Sequence, residues 1–256
     1  MTTQSSSLIL STVKNGILKV VLNKPAKKNA LSSPMYKELT TLLNESAKNP
    51  KVLIFALTGN GDFFSSGNDL TDGFTQESST NTNLEVIKNF IDALILYPKL
   101  LTAVVNGPAI GIGSTILGIF DLVYASDKAY FQLPFSSLGL VAEACSSYIY
   151  PRLLGHSKAG DMLYLGYKMS AHEAKQYGLV SEVYNHDSLE EVWKYLNKVS
   201  KLSSESILAT KRLVSKWNRK ILLEVNAEEM GEVKRRCESP DMLEKLLAFL
   251  SRKNKL

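Results

Sequence analysis

LTAVVNGPAIGIGSTILGIF, residues 101–120, contains the transition on which the fold depends. Its first half is an apolar run closed by Asn106 and Gly107, the pattern of a strand covered on both faces. Gly111 and Gly113 then carry the chain directly into the start of a buried helix, a change of direction that side chains rarely permit. A strand that feeds a helix is the unit of α/β architecture, and the same reading extends outward from here. Upstream, VLIFALTGNG (52–61) is a second buried strand, and LILSTVKNGILKVVLNKP (8–25) alternates as a hairpin turning at Asn15-Gly16. Ser32 and Ser33 are positioned to cap a helix with Pro34 in its first turn and Met35, Leu39, Leu42 and Leu43 on one face, running to about Lys48. A polar, turn-rich stretch at 71–83 predicts a mobile loop before the amphipathic helix LEVIKNFIDALILYP (84–98).

Downstream, LVYAS (122–126) repeats the strand type, and SAHEAKQYG (170–178) carries a capping box, Ser170 with Glu173, before Gly178 ends the helix. LVSEVY (179–184) is a short strand. From about Leu189 the periodicity is helical through four segments, so alternation gives way to helices alone.

Composition removes several function classes. With 256 residues, 45% hydrophobic and 21% charged, the chain has the balance of a folded domain with one large core. Cys145 and Cys237 are far apart and outside any CxxC, which argues against a disulfide framework and for a reducing compartment. His156, His172 and His186 form no ligand spacing, so no metal is expected. Net charge is +5 and the isoelectric point about 9.0, with basic runs at KRLVSKWNRK (211–220) and VKRR (233–236). These read as solvated helix faces or as a surface for a phosphorylated ligand; nucleic acid is not expected, because no recognition-motif spacing accompanies them. No apolar run reaches the roughly 18 residues of a membrane span. The N-terminal MTTQSSSLILS lacks a basic n-region, whereas SRKNKL (251–256) is similar to a peroxisomal SKL-type address with Asn254 in place of its small residue.

Two segments carry the chemistry, FFSSGNDL (63–70) and NGPAIGIG (106–113). Each follows a strand, and backbone N–H groups freed at such turns can hold an anion or a developing oxyanion. Two turns from adjacent parallel strands would converge on one oxygen. Competing readings fail on spacing: GIGSTI lacks the third glycine of GxGxxG, no GxxxxGK[ST] occurs, and GHSKAG misses GxSxG by one residue. In LGLVAEACSS (138–147), Glu143 is a lone carboxylate among apolar and small residues.

These segments fall in a familiar order. NKPAKKNAL (23–31) is similar to an RP-x-x-x-NAL segment, FSSGNDL to FxAGADL, and VVNGPAIGIG to VNGxAxGGG. DLVYASDKAYFQLPFSSLGL (121–140) is similar to a strand followed by PE-x-x-LG, and residues 169–183 to AxEAxxxGLVxxV. Together they resemble the crotonase, or enoyl-CoA hydratase/isomerase, superfamily over nearly all the chain from about Leu8. The resemblance implies an α/β spiral of ββα turns at 1–198 and a C-terminal helical region at 199–256 that packs homotrimers, often paired into hexamers. It also implies an acyl-CoA thioester whose carbonyl oxygen is held by the N–H groups of Ser66 and Ile112. Lys28, Ser66, Gly67, Asn68, Asp69, Leu70, Gly111 and Phe135 are the implied substrate contacts, with Asp69 as a turn ligand supporting the oxyanion loop. Lys27, Lys28 and Lys253 are candidates for the CoA phosphates. Coenzyme A is part of the substrate, and no separate cofactor or metal is implied.

Hydratases of the superfamily use two glutamates, at positions occupied here by Thr115 and Phe135. PFSSLGLVAEACSS instead resembles the peroxisomal-type Δ3,Δ2-enoyl-CoA isomerases, which places the single acid/base at Glu143, walled by Phe135, Leu140 and Val141. The implied activity is an intramolecular oxidoreductase reaction that transposes a C=C bond in oxidation of unsaturated fatty acids. The implied location is the peroxisome, reached through an import receptor, with mitochondrion or cytoplasm as alternatives. A non-catalytic acyl-CoA-binding or interaction module of the chromodomain-Y type shares the fold and a similar CSS segment, and is the alternative function.

Overall fold

The computed structural model describes residues 7–70 and 77–253, leaving aside the side chains of 77–81, 252 and 253. β1 (Ile9–Lys14) and β2 (Ile17–Leu22) form the expected hairpin, with Asn15 and Gly16 at φ 51° and 77°, the double left-handed turn that Asn-Gly favours. α1 (Ser33–Lys48) leads to β3 (Ile54–Gly59), and α2 (Glu77–Leu96) leads to β4 (Leu100–Val105). β5 (Ala109–Ile110) then runs into α3 (Ile112–Thr115), followed by β6 (Leu122–Ser126) and β7 (Tyr130–Gln132). α4 (Ser146–Leu154) and α5 (His156–Leu163) precede β8 (Met169–Ser170), α6 (Ala171–Gln176) and β9 (Glu182–Tyr184). The chain continues through α7 (Leu189–Val199), α8 (Ser204–Lys216), α9 (Arg219–Cys237) and α10 (Pro240–Lys253).

The main sheet runs β1-β2-β3-β4-β6-β9, parallel from β2 onward, and a small sheet runs β5-β7-β8. Alternation along β3 and β4 explains their unbroken apolar sequence. Phe55, Leu57, Ala103 and Val105 pack with Met35, Tyr36 and Leu39 of α1 and Phe90 and Ile91 of α2. The intervening Ile54, Ala56 and Val104 pack on the opposite face with Val192 and Leu196 of α7. Both faces are therefore dry, and each fully buried aliphatic side chain contributes about 1.5–3 kcal/mol. α9 packs against α2 and α4, placing Met230 and Val233 in the main core.

Three local expectations are revised. Ser32 occupies the N-cap of α1 without a side-chain cap bond, and the Ser33 hydroxyl bonds the Asn83 side chain. Of the stretch 71–83, residues 71–76 lie outside the described residues, while 77–83 form the first turns of α2. That segment holds no Gly or Pro to stop a helix, and α2 packs along α1. β9 begins at Glu182 rather than Leu179, because the Leu179 and Val180 N–H groups donate to the Ala174 carbonyl and close the end of α6. The capping box at Ser170 and Glu173 is present as expected. Among the described residues no helix is long and apolar enough to cross a membrane.

Candidate active site

β3 and β4 are adjacent and parallel, so the loops leaving them, Phe63–Leu70 and Asn106–Gly113, emerge side by side. A parallel bridge at Ser65 and Ala109 joins them, with the Ile110 N–H donating to the Ser65 carbonyl at 2.9 Å. Two glycines set the approach. A β-carbon on Gly67 (φ 93°) would stand 3.0 Å from the Ile110 carbonyl oxygen, and one on Gly113 would meet the Ser65 β-carbon at 2.8 Å.

The two expected N–H donors differ in state. Ile112 is the first residue of α3, where an N–H has no acceptor inside the helix, and its side chain packs in the main core. The Ser66 N–H donates to the Lys28 carbonyl at 2.9 Å. Lys28 and Asn29 both adopt left-handed backbone, at φ 53° and 54°. That turn is pinned by the Asn29 amide, which donates to the carbonyls of Asn60 (2.9 Å) and Phe63 (2.7 Å) and accepts from the Lys24 N–H. Asn29 thus ties the 24–29 segment to the first loop, a supporting role not read from the NAL motif alone.

Glu143 lies in a third segment, between Gly139 and α4, and is only 6% exposed. The Asn68 amide nitrogen stands 3.4 Å from each of its carboxylate oxygens. The Tyr36 hydroxyl, from α1, donates to the Asn68 carbonyl oxygen and so turns the amide nitrogen toward Glu143. Burial, and then the nearby Glu229 carboxylate, push the Glu143 pKa up to about 8, with the Asn68 contact opposing them. Burial and the Glu143 charge hold the Tyr36 hydroxyl well above its usual range.

The segments enclose a cavity of about 60 Å³. Of the expected residues, Ser66, Gly67, Asn68, Leu70, Gly111, Ile112, Phe135 and Glu143 line it, as do Leu140 and Val141. Thr115 does not, its hydroxyl turning to the Ile112 carbonyl. Asp69 is buried behind the loop, paired with Lys24 (2.8 Å) and Lys27 (3.4 Å), which suits a loop support better than a substrate contact. Lys28 is exposed and places its ammonium 4.9 Å from the Phe63 ring centroid, outside the cavity wall. The side chain of Lys253 is outside the described residues. Sequence reading missed Tyr36 and the lining residues Ile110, Pro134 and Leu138, and it missed Leu84 and Ile87 of α2 and Val233 of α9, which also line the cavity. Their helical periodicity marked a buried face without saying what that face lines. Among the described residues no group of three or more His, Cys, Asp or Glu is arranged to hold a metal ion.

Comparison with known proteins fits this geometry. The family described as Enoyl-CoA hydratase/isomerase matches residues 12–253. The chain is 43% identical to Enoyl-CoA delta isomerase 2 of Rattus norvegicus, across 99% of this chain and 66% of that protein. It therefore spans just under two thirds of that relative's length. It is 42% identical to Enoyl-CoA delta isomerase 3, peroxisomal, of Mus musculus, across 98% of this chain and 81% of that one. The crystal structure of an enoyl-CoA hydratase/isomerase from Pseudoalteromonas atlantica T6c superposes with a TM-score of 0.89 at 34% identity, over 96% and 98% of the two chains. The expected crotonase-like fold is borne out.

Proposed function

The chain belongs to the enoyl-CoA hydratase/isomerase family, and from that premise we propose that it shifts the double bond of a 3-enoyl-CoA to the 2-trans position, in oxidation of unsaturated fatty acids. The observation that carries this reading is that Glu143 is the one carboxylate among the described residues lining the cavity. Hydration needs a second acid to hold and activate water, and Thr115 and Phe135 stand where hydratases of the family carry theirs.

In the reaction, the Glu143 carboxylate takes a proton from C2 of the 3-enoyl thioester. The C–H electron pair moves into a dienolate whose charge rests largely on the thioester oxygen. The Ile112 N–H is the free donor to that oxygen. Because the Ser66 N–H is engaged by the Lys28 carbonyl, the thioester oxygen shares that hydrogen or displaces the carbonyl. A donor of this kind typically contributes about 100- to 1000-fold in turnover. The neutral Glu143 then protonates C4 and is restored to the carboxylate, so one group serves as base and acid. A pKa of about 8 suits both duties, since proton affinity and leaving ability are matched near neutral pH. Phe135, Leu140 and Val141 keep competing water from the dienolate.

Lys27 and Lys28 are proposed to meet the CoA phosphates, with Gly67, Asn68, Leu70 and Gly111 around the thioester, and no cofactor besides the substrate's own coenzyme A is invoked. The exposed apolar side chains of α8 (Leu213, Val214, with Trp217 just after it) and α10 (Leu243, Leu247, Phe249) support assembly as a homotrimer or hexamer. Peroxisomal residence, with an import receptor as partner, is proposed from the 42% identity to the Mus musculus isomerase that is named peroxisomal; the SKL-like residues Asn254-Lys255-Leu256 lie outside the described structure.

The test adds purified protein to a 3-enoyl-CoA and follows the conjugated 2-enoyl thioester by absorbance. Turnover supports the assignment. CoA binding without turnover would favour the non-catalytic module of the chromodomain-Y type. In the same assay, Tyr36→Phe releases the Asn68 amide from its anchor and is expected to lower kcat about 3- to 10-fold with little change in KM, the loss of roughly one hydrogen bond's worth of orientation. An unchanged kcat would remove Tyr36 from the account.

A further inference from the structure

We propose that Glu229, on α9 in the C-terminal helical region, is a positioning residue for Glu143, clamping the turn that aims this base. The proposal rests on Glu143 being the base. Immediately after Glu143, Ala144 and Cys145 adopt left-handed backbone at φ 56° and 61°, a conformation that L-residues with side chains hold only when their surroundings impose it. Glu229 supplies that constraint. It is only 6% exposed, and its two carboxylate oxygens accept from the Cys145 N–H (2.6 Å), the Ser147 N–H (2.9 Å) and the Ser147 hydroxyl (2.5 Å). These are the donors that open α4 and lack partners inside it, so a carboxylate from a residue 84 positions away performs the cap.

The same helix grips the segment on the other side of Glu143. Arg236 Nε donates to the Gly139 carbonyl at 2.9 Å, so α9 holds residues 139 and 145–147 with the base between them. Val233, one turn beyond Glu229, forms part of the cavity wall. Among the described residues no cation pairs with Glu229. Cys145, the N-cap of α4, and Ser147 within it face Glu229. Asp92 of α2, which also acts on Cys145, is tied to Lys88 and Asn226, and Arg236 is paired with Asp241. Around Glu143 itself stand Asn68, Tyr36 of α1 and Cys237 of α9. Burial raises the Glu229 pKa while the Ser147 and Cys145 donors oppose that rise, and in its ionised form Glu229 is, after burial, the next influence favouring the protonated form of Glu143.

The experiment compares wild type, Glu143→Ala, Glu229→Gln and Glu229→Asp on a 3-enoyl-CoA across pH, after circular dichroism has confirmed folding. Glu229→Gln is expected to lower kcat roughly 10- to 100-fold by misaiming the base, with KM within about threefold. Its acid limb in kcat/KM should also move to lower pH, by on the order of one unit, because the neighbouring charge is gone. Glu229→Asp keeps the charge but not the reach, so it should hold the wild-type limb with reduced kcat. Should Glu229→Gln not fold, the Glu229→Asp result decides: wild-type kcat there overturns the proposal. Folded Glu229→Gln with wild-type kcat, or with lowered kcat and an unmoved acid limb, also overturns it. Inactive wild type would instead refute the isomerase reading, whereas active wild type with inactive Glu143→Ala and normal Glu229→Gln would sink this inference alone.

Discussion

Glu143→Gln is expected to lower the rate of 3-enoyl-CoA isomerisation by about 1000-fold or more, with a folded protein and nearly unchanged affinity for the CoA portion. Proton transfer by a positioned side chain typically contributes about 10²- to 10⁴-fold, and the upper part of that range applies because both proton transfers use this one group. The substituted amide fills the same space beside Asn68 but has no basic oxygen pair to receive the C2 proton. No second carboxylate among the described residues lines the cavity to take over. Steady-state kinetics on wild type and variant check this, with equilibrium binding of CoA as the control. A loss confined to KM would mean that Glu143 binds rather than reacts.

The same substitution should stabilise the protein, increasingly so as pH rises. Glu143 moves from the ordinary carboxylate value of 4.5 to about 8 on folding, mainly because burial disfavours its charge. Between those values the folded chain holds a proton that the unfolded chain has lost. A raised folded pKa gives stability that is fully present below about pH 4.5 and lost as pH climbs through 8. The gap between 4.5 and about 8 corresponds to roughly 5 kcal/mol, a large part of the stability of an ordinary domain. An amide at this position does not ionise and escapes that loss. Urea unfolding at about pH 5 and about pH 9 should therefore show the variant's advantage growing by on the order of 4 kcal/mol, whereas a constant difference would mean that Glu143 titrates normally. The expected pairing of lost activity with gained stability is the usual mark of a group held in an unfavourable state for function.

How much of this was legible in the chain depended on distance along it. The buried strands at 54–59 and 100–105 announced themselves because both of their faces are dry, which leaves no polar alternation to confuse them with an edge strand. The Asn15-Gly16 hairpin and the Ser170–Glu173 box depend on neighbours within a few residues, so local chemistry sufficed. Glu143 stood out as a charge in an apolar run. Its supporters Tyr36 and Glu229 did not, because they reach the Glu143 segment only through packing of α1 and α9, and Asn68 was expected as a substrate contact rather than as a partner of Glu143. Each reads locally as an ordinary helix-face or loop residue. The engagement of the Ser66 N–H by Lys28 was equally hidden, since it depends on two successive left-handed residues at 28 and 29 that no pattern of apolar residues reports. The helix at 77–83 escaped notice for the opposite reason: its polar sequence favours a loop, and packing along α1 overrides that preference.

In the proposed reaction one buried carboxylate carries a proton from C2 to C4. This transfer is tested most directly by turning over a 3-enoyl-CoA deuterated at C2 in ordinary water and locating the label in the 2-enoyl product by NMR. Deuterium is expected at C4 in a substantial fraction of the product, because the proton taken by Glu143 waits in a cavity walled by Phe135, Leu140 and Val141 until it is returned. Product whose C4 hydrogen derives wholly from solvent, formed at an undiminished rate by Glu143→Gln, would contradict it.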